Sequence, residues 1–356
     1  MATYKERVAA DLDRWIAAGL APAESRAAML ASIPDARRMD AAQALAWVGG
    51  VLLGVAILAF IGANWNVLPR LAKFAVIIGV YGAAAGGAAW CARAGRPGAA
   101  NGLLTFAAIA FAGAIGLTGQ IFDIAGDERT ALYAAGVVAA ALALAGRASG
   151  PAIVALFFIG AADFSADRLY DMQGGPGFAG LFLAAPAGVA LALWWRSTAL
   201  AHMAAFSVFG AALWLAMRLD AGWPLQLTLA AVLAVLAFGG RWLREHERPG
   251  GGVFYGWMVW AAILFYVAAG IAHETPLAIG HRLLWLLIGG ALVALGRADR
   301  MSAITVAGVL SLVLGVSALM YDLGLGLMTA SGVFLVAAII AAVAGLALRR
   351  RRAEAA

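Results

Sequence analysis

The sequence predicts an all-α, polytopic integral membrane protein built as a bundle of about twelve transmembrane helices. Three observations support this fold class. Of the 356 residues, 64% are hydrophobic and 12% are charged, whereas about 25% charged residues are usual in a soluble domain. Long apolar stretches recur along the chain, most of them near the roughly 20 residues that cross a bilayer core. Basic residues are concentrated in alternate gaps between these stretches.

The apolar stretches define the domain organisation. Residues 1–40 are expected to form a cytoplasmic N-terminal helical segment, residues 41–348 the membrane bundle and residues 349–356 a basic cytoplasmic tail. Short connections between most stretches predict that successive helices pack antiparallel, and no internal repeat is convincing. The predicted spans are 43–63, 71–91, 101–122, 131–146, 149–165, 177–195, 198–217, 223–240, 252–271, 277–296, 301–320 and 326–348.

The distribution of basic residues predicts the orientation in the membrane. Nineteen of the 25 Lys and Arg residues fall on one side of the predicted bundle, and the positive-inside rule places that side in the cytoplasm. Both termini are then cytoplasmic, in agreement with an even number of spans. The net charge of +6 is explained by this asymmetry, so nucleic acid is not an expected partner.

The composition also indicates the compartment. About 40 mixed polar residues precede the first apolar run, which is unlike a cleavable signal peptide. The excess of Arg, Ala and Gly is typical of a GC-rich bacterial genome. We therefore predict a multi-pass protein of the bacterial cytoplasmic (inner) membrane, with the lipid bilayer as its first partner.

The N-terminal segment reads as two short helices. Apolar residues recur at helical spacing from Val8 to Ile16. Gly19 is a plausible stop, and Pro22 suits the first turn of a second helix. This pair of helices is either a cap on the bundle or a hairpin that docks a partner or the membrane surface. Its mixed charge favours the cap, because surface-binding helices are usually rich in Lys and Arg.

Two apolar stretches are too short to cross the membrane unaided. Ala148–Ala162 has 15 uncharged residues and Leu283–Gly296 has 14, which correspond to about 22 and 21 Å at 1.5 Å per residue. Outward extension draws in Asp163 on the first stretch, and His281 with Arg282 on the second. Local bilayer thinning or snorkelling would accommodate these groups. Otherwise they face a polar cavity open to the outside, in which Asp163 and Arg282 are expected to pair.

Other polar side chains close the outer ends of neighbouring spans. Asn64 ends the first span, and Gln120 and Asp123 end the third. A helix cap explains Asn64 equally well, and Gln120 either bonds a neighbouring helix or lines a cavity. We predict a polar cavity between spans 3, 5 and 10. Its candidate residues are Asn64, Gln120, Asp123, Asp163, His281 and Arg282.

The sequence contains no recognisable catalytic, cofactor or metal site. No nucleophile–base pair has usable spacing. The single cysteine, Cys91, excludes an internal disulfide, and the spacing of His273, Glu274 and His281 matches no zinc site. These observations favour a protein that is not an enzyme and has no cofactor.

The first 150 residues resemble a known family. Leu12-Asp13-Arg14-Trp15, Gly19-Leu20 and Ala63-Asn64-Trp65 look like the family catalogued as domain of unknown function 2157, and Gly119-Gln120-Ile121-Phe122 resembles the end of its third helix. The resemblance covers about residues 10–150. It implies a bacterial integral membrane protein with a small cytoplasmic N-terminal segment, and no assigned activity.

A second resemblance is weaker. Arg93-Ala94-Gly95-Arg96 lies in the loop where major facilitator transporters carry an acidic residue followed by Arg-x-Gly-Arg. Ala92 replaces the acidic residue, so the charge relay of that family is missing, and we interpret the match as coincidence.

Two functions remain open from the sequence. One is a carrier or permease for a small solute or a lipid-linked species, which would use the polar cavity. The alternative is a non-transporting scaffold, sensor or assembly partner that acts on another membrane protein through the N-terminal segment. A continuous polar cavity would favour the carrier, and a closed apolar core would favour the scaffold.

Overall fold

The structure is a computed structural model that describes residues 4–32, 68–123, 126–165, 179–219, 222–271 and 278–324, together with 328, 331–332 and 335–336. The predicted first span, 43–63, and most of the last, 326–348, lie outside these residues. By its contacts the chain divides into two units, Met1–Pro69 and Arg70–Ala356. Every regular element among the described residues is a helix.

The N-terminal unit contains the two short helices that the sequence predicts. Helix α1 is Tyr4–Ala17 and helix α2 is Ser25–Ala31. Gly19 ends the first helix in the left-handed conformation (φ 71°), which glycine adopts without steric cost. The Arg26 guanidinium donates to both carboxylate oxygens of Asp13 at 2.7 and 3.1 Å. This pair joins α1 to α2.

The second unit contains ten apolar helices that begin and end within five residues of the predicted spans. Eight of them are long and apolar enough to cross a membrane. The other two, α6 and α7, have only 15 and 14 residues. The helices are α3 Arg70–Arg93, α4 Pro97–Phe122, α5 Glu128–Gly146, α6 Ser149–Asp163, α7 Leu181–Trp194, α8 Thr198–Arg218, α9 Trp223–Glu245, α10 Gly251–Ile271, α11 Ala278–Ala298 and α12 Ser302–Asp322.

Five tight turns of one kind join these helices in pairs: α3–α4, α5–α6, α7–α8, α9–α10 and α11–α12. Besides Gly250 (φ 86°) in the α9–α10 turn, each turn contains one left-handed residue: Gly95, Arg147, Arg196, Glu247 or Arg300, with φ between 48° and 68°. The next residue donates its backbone N–H to the carbonyl five positions earlier, at 2.8–3.1 Å. This is the Schellman motif, which satisfies the last carbonyls of a helix. All five turns belong to the side predicted to be cytoplasmic.

The hairpins pack against one another through their second helices. Helices α4, α6, α8, α10 and α12 contact each other in succession and form a continuous row. Helix α9 packs closely on α10, and α11 packs closely on α12, but few contacts join α10 to α11. Two tightly packed hairpins therefore meet along a sparse boundary between α10 and α11.

Small residues set the distance between α11 and α12. A Cβ added at Gly308 would lie 2.6 Å from the backbone nitrogen of Val293 and 2.8 Å from the carbonyl oxygen of Gly289. Both distances are shorter than a Cβ atom can approach a main-chain atom. With any larger residue at position 308, α11 and α12 would have to move apart. A Cβ at the adjacent Gly290 would meet no atom within 4 Å.

We expect Gly308→Ala to lower the free energy of unfolding by about 1–3 kcal/mol, because a methyl group would force the two backbones apart. Gly290→Ala is the matched control and should leave stability unchanged or slightly raised, since Ala favours helix more than Gly does. Thermal unfolding in detergent measures both. Equal stability of Gly308→Ala and the wild type would contradict the close approach.

Candidate functional site

The residues of the predicted polar cavity lie in several separate places. Gln120 and Asp123 are at the end of α4, Asp163 is the last residue of α6, and His281 and Arg282 are in the first turns of α11. Both helices include these charges, but α6 ends at Asp163 with 15 residues and stays below spanning length, whereas α11 reaches it. Asn64 lies outside the described residues. A single cavity lined by all six stays a prediction.

At the end of α4, the polar side chains are on the surface. Asp123 ends the helix in the left-handed conformation and accepts a hydrogen bond from Arg70 Nη2 at 2.9 Å. Both side chains are well exposed, so this ion pair contributes little to stability. Gln120 is exposed, and its side chain forms no hydrogen bond with the described part of the chain.

Asp163 is almost fully buried, at 1% exposure, and its carboxylate caps the start of α7. Its two oxygens accept the backbone N–H groups of Gly180 and Leu181 at 3.0 and 2.8 Å, together with the hydroxyl of Tyr133. The first N–H groups of a helix have no partner within the helix, and the helix dipole favours a carboxylate there. The Asp163 carbonyl also accepts Trp214 Nε1 at 3.1 Å. Asp163 thus joins four helices.

Arg282 is paired with Asp322, not with Asp163. Its Nε donates to Asp322 Oδ2 at 2.9 Å, and the side chains are 10% and 19% exposed. The expected pair of Asp163 with Arg282 is therefore wrong. The physical reason is the hairpin: α11 begins beside the place where α12 ends, which brings Asp322 within reach of Arg282, while Asp163 is bonded to the start of α7.

His281 joins the same end of α11 to α10. Its ring stacks on Tyr266 with centroids 4.2 Å apart and planes 11° from parallel. The Tyr266 hydroxyl donates to the His281 carbonyl at 2.9 Å, and His281 Nε2 donates to the Tyr266 carbonyl at 3.0 Å. These bonds and the Arg282–Asp322 pair form an outer polar cluster.

A second polar cluster, which the sequence did not reveal, lies at the opposite ends of α10 and α11 and includes α9 in place of α12. Arg241 of α9 donates from Nε and Nη2 to the Asp299 carboxylate at 2.9 and 3.0 Å. Tyr255 of α10 donates to the same carboxylate at 3.1 Å, and Arg244 donates to the Asp299 carbonyl. We call these four residues the inner polar cluster.

The environment of Asp299 favours its charged form. Burial by itself raises the pKa of this carboxyl group. The hydrogen bonds from Arg241 and Tyr255, with the charges of Arg241 and Arg244, outweigh burial and hold the pKa below its ordinary value. The carboxylate is therefore ionised at neutral pH and holds α9, α10 and the end of α11 together.

An apolar groove of about 460 Å³ lies between the inner and outer clusters. Its floor is α10 and its walls are α9 and α11. Of the 16 lining residues, three carry a polar side-chain atom: Tyr255, Tyr266 and Trp285. The tyrosines lie near its two ends, about 16 Å apart along the helix. The groove is partly open on one side.

Helical periodicity connects the groove walls to the inner cluster. On α9 the lining positions Ala230, Ala234 and Ala237 repeat every three or four residues, and the same stripe reaches Arg241 one turn later. On α11 the stripe of lining residues that ends at Leu295 leads in the same way to Asp299. The Arg241–Asp299 pair therefore lies about one turn beyond the lining, and Tyr255, which does line the groove, is bonded to Asp299. This periodicity is the signal in the sequence that could have identified the pair.

Residues 13–152 match the sequence model of a family described as predicted membrane protein (DUF2157). This confirms the resemblance that the N-terminal motifs indicate. No curated protein and no solved structure matches the chain. The family match and the eight spanning-length helices identify a multi-pass membrane protein. The matched segment extends from α1 to the start of α6, so the apolar groove lies outside it.

We expect Asp299→Asn to lower the free energy of unfolding at pH 7 by about 1–3 kcal/mol, because Asn cannot accept both charged hydrogen bonds from Arg241. Since the folded-state pKa of Asp299 is lowered, its contribution should persist above the unfolded-state pKa of about 4 and disappear as the pH falls below it. The variant should therefore lose less stability between pH 5 and pH 3 than the wild type.

The matched control is Asp123→Asn, which removes the carboxylate of the exposed Arg70 pair and should change stability by less than about 1 kcal/mol. Chemical unfolding in detergent across the pH range measures both variants. An identical acid response in Asp299→Asn and the wild type would contradict the assigned role.

Proposed function

We propose that this protein is a carrier for a lipid-linked or similarly amphiphilic species, and that the apolar groove between α9, α10 and α11 is its binding site. The observation that carries the proposal is the groove itself: an apolar cavity of about 460 Å³, with the Arg241–Asp299 pair about one helical turn beyond its lining. All three helices have spanning length. In the proposed arrangement the groove opens toward lipid, and its apolar walls suit a hydrocarbon chain.

Small polar solutes are less well supported as cargo. A path for a hydrated solute needs polar side chains that face a common space. Asp163 instead caps α7, Arg282 is paired with Asp322, and Asp123 is on the surface with Arg70. The groove has apolar walls, so the amphiphile is the better supported cargo.

The proposal includes a location and an orientation. The protein would lie in the bacterial cytoplasmic membrane with about twelve spans and with both termini in the cytoplasm. The charge asymmetry of the sequence supports this orientation. The five Schellman turns add support, because all of them fall on the same, arginine-rich side.

Filling the groove should remove the bound molecule. Ala234 lines the groove, so Ala234→Trp would occupy space that the ligand needs. Val235 is the next residue, 69% exposed and not part of the lining, so Val235→Trp is the matched control. We expect lipid adducts in native mass spectra of the purified protein to persist in Val235→Trp and to fall about tenfold or more in Ala234→Trp. Equal adducts in both variants would contradict the assigned site.

Carriage is tested by reconstitution. The wild type and Val235→Trp should accelerate the movement of a fluorescent lipid between the leaflets of proteoliposomes, and Ala234→Trp should not. Binding without any accelerated movement in the wild type would exclude the carrier and leave a non-transporting role.

The N-terminal hairpin favours a second candidate, a scaffold or assembly partner. Trp15, Leu20 and Met29 are exposed by 47%, 77% and 44%, and exposed large apolar residues can mark a docking surface. If this role is the main one, deletion of residues 1–40 should abolish complementation of a strain that lacks the protein, while Ala234→Trp and Gln120→Ala complement normally. If carriage through the groove is the main role, Ala234→Trp should instead fail to complement that strain.

A further inference from the structure

We infer that the inner polar cluster is a latch: it holds the inner end of α11 against α9 and α10, and its release widens the groove. The Arg241–Asp299 pair lies about one turn beyond the lining, so it sets the distance between the walls without forming part of the binding surface. The movement is a property of the helices alone. Its use, the admission of a ligand, rests on the proposed function.

The first argument is that one residue joins the two hairpins at this end. Asp299 lies in the turn between α11 and α12. Its three donors all belong to the other hairpin: Arg241 and Arg244 of α9, and Tyr255 of α10. The side chains of Asp299 and Arg241 are 7% and 31% exposed. A charge pair this far from water is costly to break, so the closed state is the resting state.

The second argument is the weak boundary between α10 and α11. Few contacts join these two helices, whereas α11 packs closely on α12. A Cβ added at Gly296 would lie 2.9 Å from Thr305 Cα, and one added at Gly315 would lie 2.9 Å from Leu286 Cδ2. In lipid, apolar helix faces gain little from each other. The α11–α12 hairpin can therefore separate from α10 at small cost along this boundary, and it moves as one body.

The third argument is that the remaining contacts define a pivot. Ile304 and Ala307 of α12 are buried in the same apolar cluster as Met258 of α10. Rotation of the hairpin about α12 carries α11 away from α9 while this packing is kept. At the outer end, a Cβ added at Gly270 of α10 would lie 2.5 Å from His281 Nδ1, so α10 and α11 are closely packed there. The movement is therefore largest at the inner end of α11.

The test measures distances between spin labels by pulsed electron paramagnetic resonance, with the full-length protein in nanodiscs and Cys91 replaced by Ala. Gly239→Cys with Ala298→Cys places one label pair at exposed positions on the inner ends of α9 and α11. We expect one distance in this background. Asp299→Asn should add a population about 4 Å or more longer, since about 4 Å separates carbon atoms in contact. Arg241→Gln should add the same population, because it breaks the same pair from the other helix.

The matched control is Asp322→Asn, which breaks an ion pair within the α11–α12 hairpin and should leave the inner distance unchanged. Two further label pairs use exposed positions. Thr228→Cys with Ile279→Cys reports on the outer ends of α9 and α11, and Leu287→Cys with Val313→Cys reports on the hairpin itself. Both distances should stay the same in every variant, and the second shows that the hairpin remains folded.

The outcomes separate the latch from the proposed function. An unchanged inner distance in either Asp299→Asn or Arg241→Gln, or an equal increase in Asp322→Asn, would overturn the latch and leave the groove in place. An equal increase in the outer or hairpin distance would indicate general loosening and would also overturn it. If the latch opens as expected but Ala234→Trp and Val235→Trp retain equal lipid adducts, the movement stands and the binding site fails.

Discussion

The structure depends on one constraint: a polar group that leaves water inside a membrane protein must find its partner within the protein. Apolar side chains gain little from one another in lipid, because lipid tails are equally apolar. Hydrogen bonds and ion pairs between helix ends therefore contribute strongly to which helices pack together. Asp163 and Asp299 fill this role between helices of different hairpins, and Asp322 fills it within the α11–α12 hairpin. The apolar faces of the hairpins fill the space between these bonds.

Much of the fold was predictable because it is encoded locally. The length and hydropathy of each apolar stretch determine a helix, and all ten described helices of the second unit lie close to their predicted spans. The sequence also indicated that Asp163 and Arg282 belong to the ends of apolar helices, although α6 ends at Asp163 and remains shorter than the bilayer core requires. The partners of these charges were not predictable in the same way. The correct partner of Arg282 is 40 residues away, and the choice between Asp322 and Asp163 depends on which helix ends share a side and a neighbour.

The inner polar cluster shows a different limit. Arg241 and Asp299 look like ordinary loop charges in the sequence, and each occurs beside several other charged residues. Arg241 and Asp299 continue the stripes of groove-lining residues on α9 and α11. These stripes predict that the two residues meet only once both helices are known to flank α10. The groove itself arises from uneven packing: α9 packs closely on α10 and α11 packs closely on α12, so the boundary between the two hairpins is held mainly at its ends. The amino-acid sequence shows no convincing internal repeat. The described helices nevertheless form five similar hairpins, one after another along the chain.

The arginines in the tight turns have a consequence for how the chain enters the membrane. At Arg147, Arg196 and Arg300 the backbone is left-handed, a conformation that costs a residue with a Cβ about 1–2 kcal/mol and that glycine adopts freely. Yet glycine would remove a positive charge from the helix terminus that the dipole makes attractive to cations. It would also remove that charge from the side that the positive-inside rule predicts to be cytoplasmic. Folding and biogenesis thus favour different residues at the same positions. A variant selected for thermal stability alone would drift toward glycine there and weaken the signal that sets its topology during synthesis.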